Sequence, residues 1–235
     1  MPYFYHRYFD PTYILILIAL VISMAASLKL KATFSKYSKK NCSSGYNGAQ
    51  TAEKILRSAG IYDVSIERIS GNLTDHYDPR TKTLRLSDSV YGKTSIAAVG
   101  VAAHECGHAI QDAKDYKPLR MRHAWVPAAN IGSNLAIPII LVGCFLSFNS
   151  ILINIGIFMF SFAVLFQLIT LPVEFNASKR AVEILQETGI LYGEEVKGAK
   201  KVLSAAALTY VAATIAIIMQ LLRLVILFGG RTRDN

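Results

Sequence analysis

Hydrophobic residues in this chain fall into long uninterrupted runs, separated by stretches that are polar or patterned. No charged residue occurs from Pro11 to Leu28, from Ala124 to Val173, or from Val202 to Leu222. A helix crosses the hydrocarbon core of a bilayer with about 20 mostly apolar residues. The first and last runs each suit one span. The middle run is too long for one and suits two, joined by a turn at Phe148-Asn149-Ser150. Transmembrane helices are therefore predicted at about 12–30, 125–147, 151–171 and 205–228. The first could instead be a signal peptide, since Ala25-Ala26-Ser27 resembles a cleavage site. Its start is aromatic and weakly basic, however, and Lys29 and Lys31 follow at once, as at a membrane boundary. A retained anchor is the better reading.

The patterned stretches read differently. Residues 31–45 are basic and serine-containing, a connector. Asn47 suits the N-cap of a helix over Gly48–Ser58, with Gly60 ending it and Ala49, Ala52, Ile55, Leu56 and Ala59 on its apolar face. Val64–Ile69 alternates as a strand does. Asn72–Tyr77 and Thr83–Leu86 flank the turn segment Asp78-Pro79-Arg80-Thr81-Lys82, giving a hairpin of a two- or three-stranded sheet. Ser95–Asp112 reads as an alanine-rich helix with Thr94 or Ser95 at its N-cap. After the third span, Pro172 fits a helix kink or start. Ala177, Ala181, Ile184 and Leu185 mark an apolar face there, and Gly189 suits a stop. A further helix begins near Gly193-Glu194-Glu195 and runs into the fourth span. The plan is a tail (1–11), the first span, a soluble region over 31–123 holding the 95–112 helix, the paired spans, a helical segment (172–204), the last span and a second tail (229–235).

Charge orients this plan. The net charge is +9 over 235 residues, and the basic residues are concentrated. Lys29 to Lys40, Lys114 to Arg122, Lys179-Arg180 and Lys197 to Lys201 all fall on the face carrying 31–123 and 172–204. The other face has Arg7, Arg231 and Arg233, with Arg223 snorkelling towards it. Basic residues near span ends mark the cytoplasmic side. The prediction is a multi-pass protein of the cell membrane with the 31–123 region in the cytoplasm. Topology thus accounts for the basic excess, and with no base-stacking or groove-reading element, nucleic acid is not expected as a partner. Cys42, Cys106 and Cys144 are scattered and make no disulfide framework.

The chemistry lies in His104-Glu105-Cys106-Gly107-His108, an H-E-x-x-H motif. On a helix, residues four apart share a face, so both imidazoles can reach one metal ion. Glu105, next to the first of them, can reach a water on that ion. Cys106 points to another face and reads as a small packed residue. Gly100 and Gly107 are poor helix formers, compatible with close approach of another backbone. The third ligand follows from topology. The paired spans form a hairpin, so residue 172 returns to the face that residue 123 left. Glu174 then lies beside the membrane in an apolar stretch, where a carboxylate requires a cation. Its alternative reading is a helix N-terminal acid favoured by the macrodipole. Glu183 and Glu187 are rivals, at spacings better suited to Lys179 and Arg180. One ion on His104, His108 and Glu174 would leave a vacant position, as catalytic zinc sites do.

The pieces Ala-Ala-His-Glu-Cys-Gly-His-Ala-Ile-Gln and Pro-Val-Glu-Phe-Asn-Ala-Ser-Lys-Arg-Ala, in this order around an apolar hairpin, resemble the bacterial membrane-embedded neutral zinc metallopeptidases, the YugP-like group. They are distantly similar to membrane gluzincins of the HtpX and CAAX-processing type. The resemblance covers most of the chain. It implies a mainly α membrane protein, with four transmembrane helices and a small α+β zincin-like cytoplasmic metallopeptidase domain. It also implies one Zn2+ on His104, His108 and Glu174, and Glu105 as general base in the hydrolysis of protein or peptide substrates. Many gluzincins carry Asp four residues after the ligand Glu; here that position is Ser178, a weaker partner for an imidazole. His76, Tyr77, His123 and Arg180 are candidates for stabilising the oxyanion. A substrate could add as a strand along Thr83–Ser87. Two other readings stay open: an intramembrane protease with 95–112 inside the bilayer, and a non-catalytic scaffold whose structural metal takes a fourth ligand such as Cys42 or His76.

Overall fold

The computed structural model describes residues 10–229; most of both tails, with Arg7, Arg231 and Arg233, lies outside the described residues. The chain is mostly helical, with one small sheet. Helices α1 (Tyr13–Ser38), α4 (Lys117–Phe145), α5 (Ser150–Glu187) and α6 (Glu194–Phe228) are each long and apolar enough to cross a membrane. Between the first two of these come α2 (Gly48–Ser58), β1 (Ser65–Ile69), β2 (His76–Asp78), β3 (Thr83–Ser87) and α3 (Ile96–Ala113).

The described residues form two compact units. One holds residues 10–25, 121–170 and 210–229; the other holds 26–120 and 171–209. In the first, small residues let α4 and α5 approach closely. A Cβ on Gly132 would stand 2.4 Å from the Met159 carbonyl oxygen, and one on Gly156 2.8 Å from that of Ala136. Close backbone contact of this kind drives helix pairing where no hydrophobic force separates protein from lipid. Asn149 caps α5, its Oδ1 accepting from the Ile151 and Leu152 amides at 3.1 Å each. Arg223 near the end of α6 lies 3.4 Å from Asp10 Oδ2 and over the Tyr13 ring, a pairing that offsets the cost of a cation close to lipid. Asn130 and Asn134, which suit interhelical bonding, are exposed.

The second unit is built around α3, whose side chains are buried for nearly its whole length. Ser95 caps it by accepting from the Ala98 amide at 3.2 Å. α2 opens with a full capping box between Asn47 and Gln50. α2 and α5 end alike. Gly60 and Gly189 take left-handed φ of 72° and 65°. The next amides, Ile61 and Ile190, return to the Leu56 and Leu185 carbonyls at 2.9 and 3.0 Å, closing Schellman motifs. In the sheet, order β1-β3-β2, β3 pairs parallel with β1 and antiparallel with β2. Leu84 and Leu86 of β3 are wholly buried in the same core as Ile55, Val99 and Ala103.

Three features differ from the sequence reading. α1 continues as helix through Lys31–Ser38, where a connector is expected. A helix already nucleated in the apolar run propagates cheaply through residues containing neither Gly nor Pro. α5 is one helix of 38 residues with Pro172 inside it, so of the two expectations for Pro172, a kink or a start, the start is ruled out. The expectation that a substrate adds along Thr83–Ser87 is overturned. β1 pairs with all five of these residues, β2 pairs with Thr83 to Arg85 on the other side, and Asp75 Oδ1 accepts from the Ser87 amide at 2.7 Å. The central strand has no free edge to offer.

Candidate metal centre

α3 presents His104 and His108 one turn apart, with ring centroids 4.8 Å apart and planes at 83°. α5 meets α3 where α3 has no side chain. A Cβ on Gly107 would stand 2.7 Å from the Ala177 carbonyl oxygen. That contact brings the turn carrying Glu174 against the imidazoles. Glu174 is 2% exposed. Its Oε2 lies 3.3 Å from His104 Nε2 and 3.5 Å from His108 Nε2. Donor atoms of the three residues all lie within 4.8 Å of one another, and the group could hold a metal ion. The donor set suits zinc, and ligands about 2.0–2.1 Å from a tetrahedral ion stand roughly 3.3–3.4 Å apart. The observed carboxylate–imidazole separations match that spacing.

The outer nitrogens are held as well. Gln111, fully buried, lies one turn beyond His108 on α3. Its Nε2 donates to the Val173 carbonyl at 2.8 Å and to Asn176 Oδ1 at 3.0 Å. A carbonyl only accepts, so the amide orientation follows, and Oε1 must face His108 Nδ1 at 3.0 Å. Nδ1 is then the protonated nitrogen of neutral His108, and the Nε2 lone pair faces Glu174. Arg180 Nε donates to the same Asn176 oxygen at 2.7 Å and completes the chain. Ser178 Oγ lies 3.2 Å from His104 Nδ1, so the hydroxyl occupies the orienting position. Burial disfavours a charged His108, but the nearby Glu174 and Glu105 carboxylates and the Gln111 carbonyl outweigh it and raise its pKa.

Other singled-out residues fall as follows. Glu105 is buried on α3 beside His104. Cys106 packs on the far face, its Sγ 3.7 Å from the Ala52 carbonyl oxygen, and burial pushes its thiol pKa well up. Tyr77 Oη donates to Asp112 Oδ2 at 3.0 Å; burial and that carboxylate raise its pKa, so it stays a donor. His76 is exposed, with Nδ1 on the Thr74 carbonyl. Cys42 Sγ points to the Tyr46 carbonyl. Among the described residues neither joins the cluster. Glu183 pairs with Lys179 at 3.7 Å. His123 is on α4 in the other unit. Gln111 and Asn176 are missing from the sequence reading. The available signal was a polar residue three positions after a motif histidine, on the same helical face.

Fold and site together define a class, the multi-helix membrane proteins whose helix-borne imidazole pair meets a buried glutamate. The sequence profile of the family described as "Putative neutral zinc metallopeptidase" matches residues 12–229, and the chain belongs to this family. It is 50% identical over 217 residues to the "Putative membrane protease YugP" of Bacillus subtilis (strain 168), an alignment covering 92% of this chain and 96% of that protein. No solved structure matches.

Proposed function

We propose that this protein is a membrane-bound zinc metallopeptidase that hydrolyses peptide bonds in membrane or misfolded proteins, with its active site facing the cytoplasm. The observation that carries the reading is the convergence of His104 Nε2 and His108 Nε2 on one oxygen of buried Glu174. These three side chains would hold one zinc ion. Bound there, the ion would supply a Lewis acid for water and for the scissile carbonyl. Glu105 takes the proton of the attacking water and returns it to the leaving amine. Gln111 and Ser178 hold the imidazoles in the tautomer that turns Nε2 to the ion. The apolar body of α3 keeps the surroundings dry, which strengthens each of these interactions. α3 has 18 residues, 14 of them buried in the protein core, so the reading of 95–112 as a lipid-embedded site is not favoured.

The test is Glu105→Gln, assayed on an unfolded or membrane-protein substrate with zinc content measured on the same sample. Cleavage should fall by about 10²–10⁴-fold while zinc is retained. Undiminished cleavage rejects Glu105 as the base. A zinc-free wild-type protein that still cleaves rejects the metallopeptidase reading altogether.

A further inference from the structure

α1 and α6 flank an open groove of about 630 Å³ that shares no residue with the candidate metal ligands. Beside it, α1 and α6 are in close contact at a glycine. A Cβ on Gly198 would stand 2.7 Å from Tyr37 Cε1, so the Tyr37 ring packs directly on the α6 backbone. Lys29 and Lys36 of α1 and Lys197, Lys200 and Lys201 of α6 line the groove, and no acidic residue does. Lys197 is held by Glu194 at 2.6 Å. Among the described residues, the other four have no carboxylate in ion-pair contact. The rest of the wall includes Ala32, Ala205 and Leu208. On α1 the lining lies in the basic stretch, from Lys36 back to Lys29 at the edge of the apolar run, and on α6 it runs from Lys197 into the apolar run as far as Leu208.

A concentration of ammonium groups merging into an apolar wall at the end of two span-length helices suits one kind of ligand. We infer that this cleft is a binding site for an anionic phospholipid, with the phosphate among Lys29, Lys36, Lys200 and Lys201 and an acyl chain along Ala32, Ala205 and Leu208. Juxtamembrane lysines attract anionic headgroups by charge alone. The groove adds a place where several act on one phosphate while the chain stays in contact with apolar surface. Lys31 on α1 and Lys39 just after its end are also exposed but do not line it. The inference is independent of the peptidase reading, because it uses no residue of the metal cluster.

The experiment uses the purified full chain in neutral detergent, with native mass spectrometry of lipid retained after incubation with dioleoylphosphatidylglycerol or dioleoylphosphatidylcholine. The anionic lipid should be retained preferentially, as a defined single adduct. Lys200→Gln with Lys201→Gln should weaken that retention by about thirtyfold. The corresponding double arginine variant should keep it. Lys31→Gln with Lys39→Gln should leave it unchanged; an equal loss there would mean diffuse surface attraction and would overturn the site. Equal retention of the two lipids would overturn it as well. So would full competition by inorganic phosphate, which would show that a free anion suffices. All the substituted lysines are exposed, and unchanged helical circular dichroism of each variant keeps a negative result meaningful.

Discussion

Gln111 fixes a tautomer. Its Nε2 is committed to the Val173 carbonyl, so its oxygen faces His108 Nδ1 and the imidazole must present Nε2 to Glu174. Gln111→Leu removes the acceptor for His108 and leaves the buried Val173 carbonyl without this donor. Loss of such a supporting partner weakens metal binding by about 10–100-fold. Zinc affinity measured by competition with a chromogenic chelator should show that loss for Gln111→Leu, and wild-type affinity would refute the orienting role. Ser178→Ala should show a smaller loss, since a hydroxyl 3.2 Å from His104 Nδ1 is the weaker partner. At this scale the sequence is uneven as a guide. The imidazole pair is legible because four-residue spacing fixes a helical face. Glu174 is legible because a carboxylate beside an apolar run requires company. Gln111 is legible only as a polar neighbour of His108 on its helical face; the orientation of its amide rests on a carbonyl 62 positions away. The role of Asn176, between Gln111 and Arg180, is hidden for the same reason.

Helix α3 brings its imidazoles against Glu174 where α5 comes within backbone distance of it, at Gly107. Two principles give opposite signs for Gly107→Ala. Helix propensity alone favours alanine by about 1 kcal/mol. The contact says that a new Cβ, 2.7 Å from the Ala177 carbonyl oxygen, must push two main chains apart. Over-packing of this kind costs about 1–3 kcal/mol, and the displaced turn is the one carrying Glu174. Gly107→Ala should therefore lower the thermal midpoint and weaken zinc binding together. Gly92→Ala, where a Cβ would meet nothing within 4 Å, should do neither. A stabilised Gly107→Ala protein would mean that propensity decides and that the close approach is not needed. Element ends were legible wherever a local device sets them: the Asn47 capping box, the Ser95 N-cap and the glycines at 60 and 189. They were not legible where continuation depends on what came before. Helix α1 runs on through a lysine-rich stretch, and at Pro172 the sequence left a kink and a start both open where α5 runs through. The parallel pairing of β1 with β3 was also hidden, since alternation identifies a strand but not its neighbour, and this pairing removed the edge expected to bind substrate.

The unit that holds the three candidate metal ligands is assembled from two stretches, 26–120 and 171–209, and the 50 residues between them belong to the other unit. His104 and His108 come from the first stretch and Glu174 from the second. An ion bound to all three would therefore be a cross-link within the fold, and on the proposed function a reagent as well. It would close a long loop, where such closure has most effect, and its binding free energy would add to folding free energy. Removing it should destabilise the protein by about 2.7 kcal/mol when zinc had been present at a hundredfold its dissociation constant. The sign of the pH dependence follows from His108. In the metal-free protein its pKa is raised, burial being outweighed by Glu174, Glu105 and Gln111. The stability this gives is full below the ordinary imidazole pKa of about 6.5 and is lost as pH rises through the higher folded value. In acid, protons would also displace the ion, and the imidazolium–carboxylate contact would take over part of the link between the stretches. The gap in thermal midpoint between zinc-loaded and chelator-treated protein should accordingly be wide at neutral and alkaline pH and narrow as the solution is acidified. Thermal unfolding of the full chain in detergent, with metal content verified in each sample, reads this directly. A gap that stays constant, or widens towards acid, would show that the ion does not join the two stretches through these residues.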